Sequence, residues 1–239
     1  MALHFDGPMV AGGLAYAVDE ILTVPAPVTH STGLEWLDQL TGGIEPGAVW
    51  AVVGPAGVGV TPLVVRLAVA AASSGEVLLA NGHVGSRRLA GVVREAARRH
   101  GPAGGPTPMV ASWLPTPTIG ADRWDGGCER ADVVVLDTWD EMWRPTTEPI
   151  TDAQRVADAR WLRERARAHG TALVLTARLP RWTSPASPGA SAHPAYDALV
   201  DTADVLLELD DSDDNGRRRL TARVRGGHAN RGELPVGLL

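Results

Sequence analysis

Short apolar runs alternate with amphipathic stretches along most of the chain, and this alternation predicts its elements. Apolar runs bounded by glycine or polar residues are typical of buried strands, and they stand at Ala48–Val53, Val77–Ala80, Met109–Ser112, Asp132–Leu136 and Ala172–Thr176. Apolar positions at helical spacing fall between them, over Pro62–Ala72, Ser86–Arg99 and Thr151–His169. Strands that alternate with helices predict crossover connections and a mostly parallel sheet.

The ends of the chain depart from this alternation. Val205–Leu209 and Leu220–Val224 flank an acidic, glycine-containing turn, which predicts an antiparallel hairpin at one edge of the sheet. Prolines and paired glycines interrupt residues 1–30, so we expect an irregular arm there. One α/β domain is therefore predicted over residues 31–239, and the arm either moves freely or packs on a neighbouring subunit.

Composition excludes several classes of protein. The chain has 239 residues, 44% hydrophobic and 21% charged, with a net charge of -6. A mildly acidic chain has no general basic surface, so any contact with nucleic acid must come from a local patch or from oligomeric geometry. All 22 basic residues are arginine. No lysine is therefore present to hold a phosphate or to form a Schiff base.

The single cysteine, Cys128, rules out an intramolecular disulfide and a cysteine-rich zinc site. The apolar stretch Met9–Val18 is short, is interrupted by glycine and is followed by two acids. We therefore expect no signal peptide and no membrane span, and we predict a cytoplasmic protein.

Residues 54–61, with the sequence GPAGVGVT, follow a predicted strand and open a predicted helix, which is the context of a phosphate-binding loop. The pattern G-x-x-x-x-G-K-[ST] is matched by Gly54, Gly59 and Thr61, but Val60 stands at the lysine position. Backbone amides at a helix N-terminus attract anions, and the Thr61 hydroxyl is placed to hold Mg²⁺. The candidate phosphate-contacting residues are Gly54, Gly57, Val58, Gly59, Val60 and Thr61.

The missing lysine has a cost that can be bounded. A hydrogen bond to a charged group contributes about 1.5–3 kcal/mol, which is about one to two decades of affinity. In a transition state, one pre-aimed donor is worth about 10²–10³ in rate. Two interpretations follow: the loop binds nucleotide weakly without efficient hydrolysis, or it is a glycine-rich turn that binds nothing.

The segment Ser31–Gly47, STGLEWLDQLTGGIEPG, leads into this loop. Together the two segments resemble RecA-type ATPases, above all the DnaB-type replicative helicases, over about residues 31–239. The resemblance implies a three-layer fold with helices on both faces of a twisted parallel sheet. It also implies ATP, Mg²⁺, single-stranded DNA, and a homo-oligomer or a hetero-oligomer with an active RecA-like protein.

The resemblance assigns roles to later residues. Asp137, after the DVVVL strand, matches the Walker B aspartate, which supports Mg²⁺ together with Thr61. His83 matches the glutamate that activates water, although an ordinary loop histidine is the alternative. Asp140 stands where the helicases tend to place a glutamine that senses the terminal phosphate. Arg223 and Arg225 match the arginine finger that reaches the neighbouring subunit, or else they are two arginines on one face of a strand.

Two loops match the positions of the channel loops in RecA-like rings. They contain Arg144, Arg181 and Trp182, which are candidates for contact with single-stranded DNA through charge and base stacking. The alternative is that the tryptophans pack in the core, as we expect for Trp139.

The losses at positions 60 and 83 predict a pseudo-ATPase that acts as a DNA-associated or assembly subunit. One alternative is an active helicase or translocase that uses another cation, such as Arg66 or an arginine of a neighbour. The other is a non-enzymatic adaptor, similar to the RecA-like accessory proteins of bacterial mutagenic repair.

Overall fold

The structure is a computed structural model, and it describes residues 9–10, 13–14, 28–82, 86–101, 105–112, 130–139, 151–179, 194–210, 218–227 and 229–234. The strands are β1 Met9–Val10, β2 Gly13–Leu14, β3 Val49–Pro55, β4 Val77–Asn81, β5 Met109–Ser112, β6 Val133–Asp137, β7 Ala172–Leu179, β8 Val205–Asp210, β9 Arg218–Val224 and β10 Ala229–Leu234. The helices are α1 Glu35–Thr41, α2 Val60–Ala71, α3 Ser86–His100, α4 Asp152–His169 and α5 Pro194–Thr202.

Eight strands form one sheet in the order β10-β9-β8-β3-β7-β6-β4-β5. The six strands from β8 to β5 run parallel, and β9 and β10 add an antiparallel edge. In this order β3 is central, between β7 and β8. The carboxyl ends of the parallel strands therefore meet at one edge of the sheet, which is where open α/β sheets bind ligands.

Helices cover both faces of the sheet, so the domain has three layers. One apolar core lies under α1, α2 and α3, and includes Leu37, Leu67 and Leu89. The other lies under α4 and α5, and includes Leu162 and Leu199. Strands buried on both faces explain the nearly unbroken apolar runs of the sequence. The predicted α/β class, with its mostly parallel sheet and C-terminal antiparallel strands, is confirmed.

The element predictions were correct where the end signals were strong. The structure confirms β5 at Met109–Ser112 and the cap of α4, where the Thr151 side chain accepts from the Gln154 amide at 3.2 Å. Two predictions need correction. The region predicted as a loop over 178–195 contains the end of β7 and the start of α5. The arm predicted as irregular contains the paired strands β1 and β2, and His30 bridges Ile44.

Candidate phosphate-binding site

The candidate site lies at the carboxyl edge of the sheet, where β3, β4, β6 and β7 end side by side. The loop 54–61 leaves β3 and enters α2, as the sequence predicts. Gly54 pairs with Arg178 of β7 in the sheet register. An added Cβ at Gly54 would lie only 2.6 Å from the Leu209 carbonyl oxygen and 2.8 Å from a Val58 methyl, so only glycine fits there.

The loop backbone has the form of an anion-binding turn. Gly57 and Gly59 have φ values of 89° and 111°, a region that residues with a Cβ rarely adopt. No carbonyl among the described residues accepts a hydrogen bond from the amides of Gly57, Gly59, Val60 or Thr61. Free amides at a helix N-terminus, with the positive end of the helix dipole behind them, favour a phosphate group.

Val60 occupies the lysine position as part of the core. Its side chain is only 4% exposed and belongs to the apolar cluster under α2. One of its methyl groups lies 3.2 Å from the position that a Gly54 Cβ would take. The residue still borders the cavity in front of the loop, but it supplies neither charge nor donor there. The loop therefore retains its backbone and lacks its cation.

Asp137 and Thr61, the predicted Mg²⁺ pair, are in direct contact. The Thr61 hydroxyl donates to Asp137 Oδ2 at 2.7 Å. The Asn81 amide donates to the same oxygen at 2.5 Å, and the Thr176 hydroxyl donates to Oδ1 at 2.6 Å. Asp137 is fully buried. Its negative charge is thus held by three hydrogen bonds in a place where water cannot screen it.

This arrangement fits a Mg²⁺ ion that is shared with phosphate. No group of three or more His, Cys, Asp and Glu side chains in the described ranges could hold a metal unaided. Mg²⁺ usually takes one or two protein oxygens together with phosphate oxygens and water. Thr61, supported by Asp137, would supply that protein share. When bound, the metal would screen the charge of the phosphates.

Two arginines that sequence reasoning missed line the cavity in front of the loop. The cavity measures about 390 Å³, and its lining includes Gly57, Gly59, Thr61, Arg178 and Arg218. The Arg178 guanidinium reaches to 3.5 Å from the Thr61 hydroxyl oxygen. Neither arginine forms an ion pair with a carboxylate in the part of the chain that the structure describes. The cation missing from the loop is therefore replaced, in position, by side chains of β7 and β9.

Arg66, the substitute cation suggested by the sequence, does not line this cavity. It lies further along α2, and its guanidinium donates to the Gly33 carbonyl at 2.8 Å. Burial lowers the pKa of Arg66. The residue lines a separate groove between α2 and α3, of about 500 Å³, together with Arg88, Arg99 and His100. The suggestion that Arg66 contacts phosphate in its own subunit is therefore not supported.

Arg223, one of the two predicted finger residues, is paired within its own chain. Its guanidinium lies 2.9 Å from an oxygen of Glu208, a carboxylate that is only 3% exposed. The Tyr196 hydroxyl donates to the other oxygen of Glu208 at 2.6 Å. Burial, followed by this hydrogen bond, raises the pKa of Tyr196.

Arg225, the other predicted finger residue, also has acceptors in its own chain. Its guanidinium donates to the carbonyls of Asp201 and Ala203, at the C-terminal end of α5. A cation at this end of a helix is favoured by the helix dipole. The trans-acting role of both arginines stays a prediction, because the structure contains one chain.

Several predicted residues lie outside the described residues, namely His83, Asp140, Arg144, Arg181 and Trp182. Their roles stay predictions. Trp139 is described and is fully buried in the core under α4 and α5, so the expectation of a packing role is confirmed.

The fold and the loop together define a RecA-like α/β domain with a P-loop at the carboxyl edge of its sheet. The solved ATPase domain of a helicase of the DnaB family is similar to this chain, with a TM-score of 0.70 and 14% identity. The match covers 90% of this chain and 91% of that domain. At this identity the likeness shows the fold alone. No protein-family model and no curated protein matches the sequence.

None of the helices in the described ranges is both long and apolar enough to span a membrane.

Proposed function

We propose that this chain is a RecA-like domain that binds nucleotide phosphate with an impaired ATPase site, and that it acts as a DNA-associated or assembly subunit beside a RecA-like partner. One observation supports this most strongly. Val60, buried in the core, stands where the loop lysine belongs, whereas Thr61 and Asp137 remain in contact at 2.7 Å. Such a site retains the parts that bind phosphate and lacks a part that accelerates its transfer.

The size of the loss supports impairment rather than fine adjustment. One pre-aimed donor is worth about 10²–10³ in rate, and a positioned general base is worth about 10²–10⁴. His83 in place of a carboxylate adds to the first loss, although such effects are rarely additive. Binding depends on fewer groups and loses only about one to two decades of affinity.

The test is single-turnover ATP hydrolysis by the purified chain, beside Val60→Lys and the double variant Val60→Lys, His83→Glu. We expect the unmodified chain to hydrolyse at the background rate and the double variant to gain rate. Val60→Met is the matched control, because it lengthens the side chain without adding charge. Robust turnover by the unmodified chain would contradict the proposal.

A second candidate function is an active ATP-driven translocase. The observation that favours it is the pair Arg178 and Arg218 in the phosphate cavity. Single-stranded DNA that stimulates hydrolysis by the unmodified chain would support this alternative. Retention of labelled single-stranded DNA without hydrolysis, at low salt where backbone contacts are strongest, would support the DNA-associated subunit.

The third candidate, the non-enzymatic adaptor, makes a separate prediction. An adaptor would retain a partner protein and neither DNA nor nucleotide. The same low-salt retention assay, run beside nucleotide binding, therefore separates it from both other candidates.

A further inference from the structure

We infer that Arg178 and Arg218 together replace the missing loop lysine, so that the site selects ligands with a di- or triphosphate chain. This inference rests on the proposed function, since it requires that the loop binds phosphate at all. It adds the residues that supply the positive charge and the class of ligand that they select.

The first step is the position of Arg178. Its strand, β7, lies beside β3, and the register places Arg178 opposite Gly54, the first residue of the loop. The side chain extends toward the start of α2, where its guanidinium lies 3.5 Å from the Thr61 hydroxyl. This hydroxyl is the group that would hold a phosphate-bound Mg²⁺. A phosphate on the loop amides would therefore meet the Arg178 guanidinium.

The second step is the convergence of two cations on one cavity. Arg218 is the first residue of β9, which runs antiparallel and so begins at the edge where β3 and β7 end. Its side chain lines the same cavity as Arg178 and the loop glycines. Two guanidiniums outnumber the single buried carboxylate of Asp137. The cavity is therefore suited to an anion of more than one charge.

The third step is the chemistry of the guanidinium. Its donors form a planar fork that binds two phosphate oxygens at once, and it stays charged at every physiological pH. A single-phosphate ligand seated on the loop amides leaves at least one fork without oxygens. A second or third phosphate extends the anion toward Arg178 and Arg218. The contribution of these arginines should therefore grow with the number of phosphates.

The experiment measures the affinity of ATP, ADP, AMP and inorganic pyrophosphate by calorimetry with Mg²⁺, for the full chain and its variants. We expect the affinity to fall in the order ATP, ADP, AMP, and we expect Arg178→Met to weaken ATP by about 10- to 100-fold. AMP should change little. Pyrophosphate that binds like ADP would assign the recognition to the phosphate chain, whereas pyrophosphate that fails to bind would overturn the ligand class.

The matched control is Arg219→Met, which removes the same charge one position from Arg218. Successive residues of a strand face opposite sides, and Arg219 does not line the cavity. We expect Arg218→Met to weaken ATP binding severalfold and Arg219→Met to leave it unchanged. Equal losses in the two variants would mean that only the general charge matters, and would overturn the assignment of Arg218.

A rescue separates a direct contact from a structural role. Val60 borders the cavity, so a lysine there would place its ammonium group among the same phosphates. We expect Val60→Lys to restore most of the ATP affinity that Arg178→Met removes. Because Val60 is also buried, melting curves must show that this double variant folds, and Arg178→Lys, which retains the charge, is the second rescue. Failure of both rescues in folded protein would contradict the inference.

The outcomes distinguish the two proposals. If the unmodified chain binds no di- or triphosphate, both the proposed function and this inference fail. If it binds ATP and Arg178→Met binds equally well, only the inference fails, and the loop amides alone account for binding.

Discussion

The carboxyl edge of the sheet and its opposite edge use arginine differently. At the carboxyl edge, Arg178 and Arg218 line the phosphate cavity, and neither forms an ion pair with a carboxylate in the described ranges. Toward the other edge, Arg223 pairs with buried Glu208, and Arg225 donates to carbonyls at the end of α5. Strand β9 contributes to both regions, because Arg218 begins it and Arg223 lies near its end.

This difference shows that a motif position alone does not make an arginine available. An arginine whose donors already have acceptors must give them up before it binds a new anion, at a cost of about 0.5–1.5 kcal/mol for each neutral hydrogen bond. Arg223 and Arg225 would meet this cost if they act on a neighbouring subunit. Arg178 and Arg218 would not meet it, although no sequence motif marks them. The predictions below test this contrast, from the largest effect to the smallest.

Removing the buried carboxylate of the phosphate site should have the largest effect on stability. In Asp137→Ala the hydroxyls of Thr61 and Thr176 and the amide of Asn81 lose their common acceptor. Each unsatisfied buried donor costs about 1–3 kcal/mol, so we expect a loss of about 3 kcal/mol or more in urea unfolding. Asp152→Ala, an exposed acid at the start of α4, is the control and should change stability little.

Removing the buried carboxylate near the opposite edge should have a smaller effect. In Glu208→Ala the buried Tyr196 hydroxyl loses its acceptor, at a cost of about 1–3 kcal/mol. The lost ion pair adds little, because the Arg223 side chain is 52% exposed and its charge can be solvated. Urea unfolding measures the change. A loss below about 0.5 kcal/mol would mean that the Tyr196–Glu208–Arg223 contact contributes nothing measurable.

The same contact should give the protein a specific sensitivity to alkali. The folded state raises the pKa of Tyr196 above its ordinary 10.0, mainly through burial. Its contribution is therefore complete below about pH 10 and is lost as the pH rises further, by up to about 1.4 kcal/mol per pH unit. We expect the unfolding free energy of the unmodified chain to fall more steeply above pH 10 than that of Tyr196→Phe. Parallel curves would contradict this assignment.

The smallest effects should separate the two sets of arginines directly. Arg225→Met loses the hydrogen bonds to Asp201 and Ala203, so we expect a loss of about 1 kcal/mol of stability. Arg178→Met loses only a 3.5 Å contact to Thr61, so we expect a change within about 0.5 kcal/mol. Thermal melts of both variants check this. A larger loss in Arg178→Met than in Arg225→Met would reverse the contrast.

The fold could be predicted from the sequence because its signals are local. Apolar runs indicated the central strands, and Thr151 with Gln154 located the start of α4. Helix α5 was missed because Pro194–Thr202 is short and follows a stretch rich in proline, serine and glycine. Such a helix is stabilised by packing rather than by its own propensity, since Ala195, Ala198 and Leu199 are fully buried.

The site could be predicted only in part. The pattern of residues 54–61 identified the loop and the missing lysine, because both depend on contiguous positions. Arg178 and Arg218 come from β7 and β9, which are brought together by the sheet order and have no fixed spacing in sequence. The presence of acceptors for Arg223 and Arg225 likewise depends on α5 and β8. Contacts between elements distant in sequence decided which arginines face the cavity.

The central claim is that the loop still binds phosphate although position 60 supplies no charge. Calorimetric titration of the unmodified chain with ATP, with and without Mg²⁺, tests it most directly. We expect saturable binding with a Kd between about 10 μM and about 1 mM, weakened when Mg²⁺ is withheld. No heat of binding at millimolar ATP in the presence of Mg²⁺ would contradict the account.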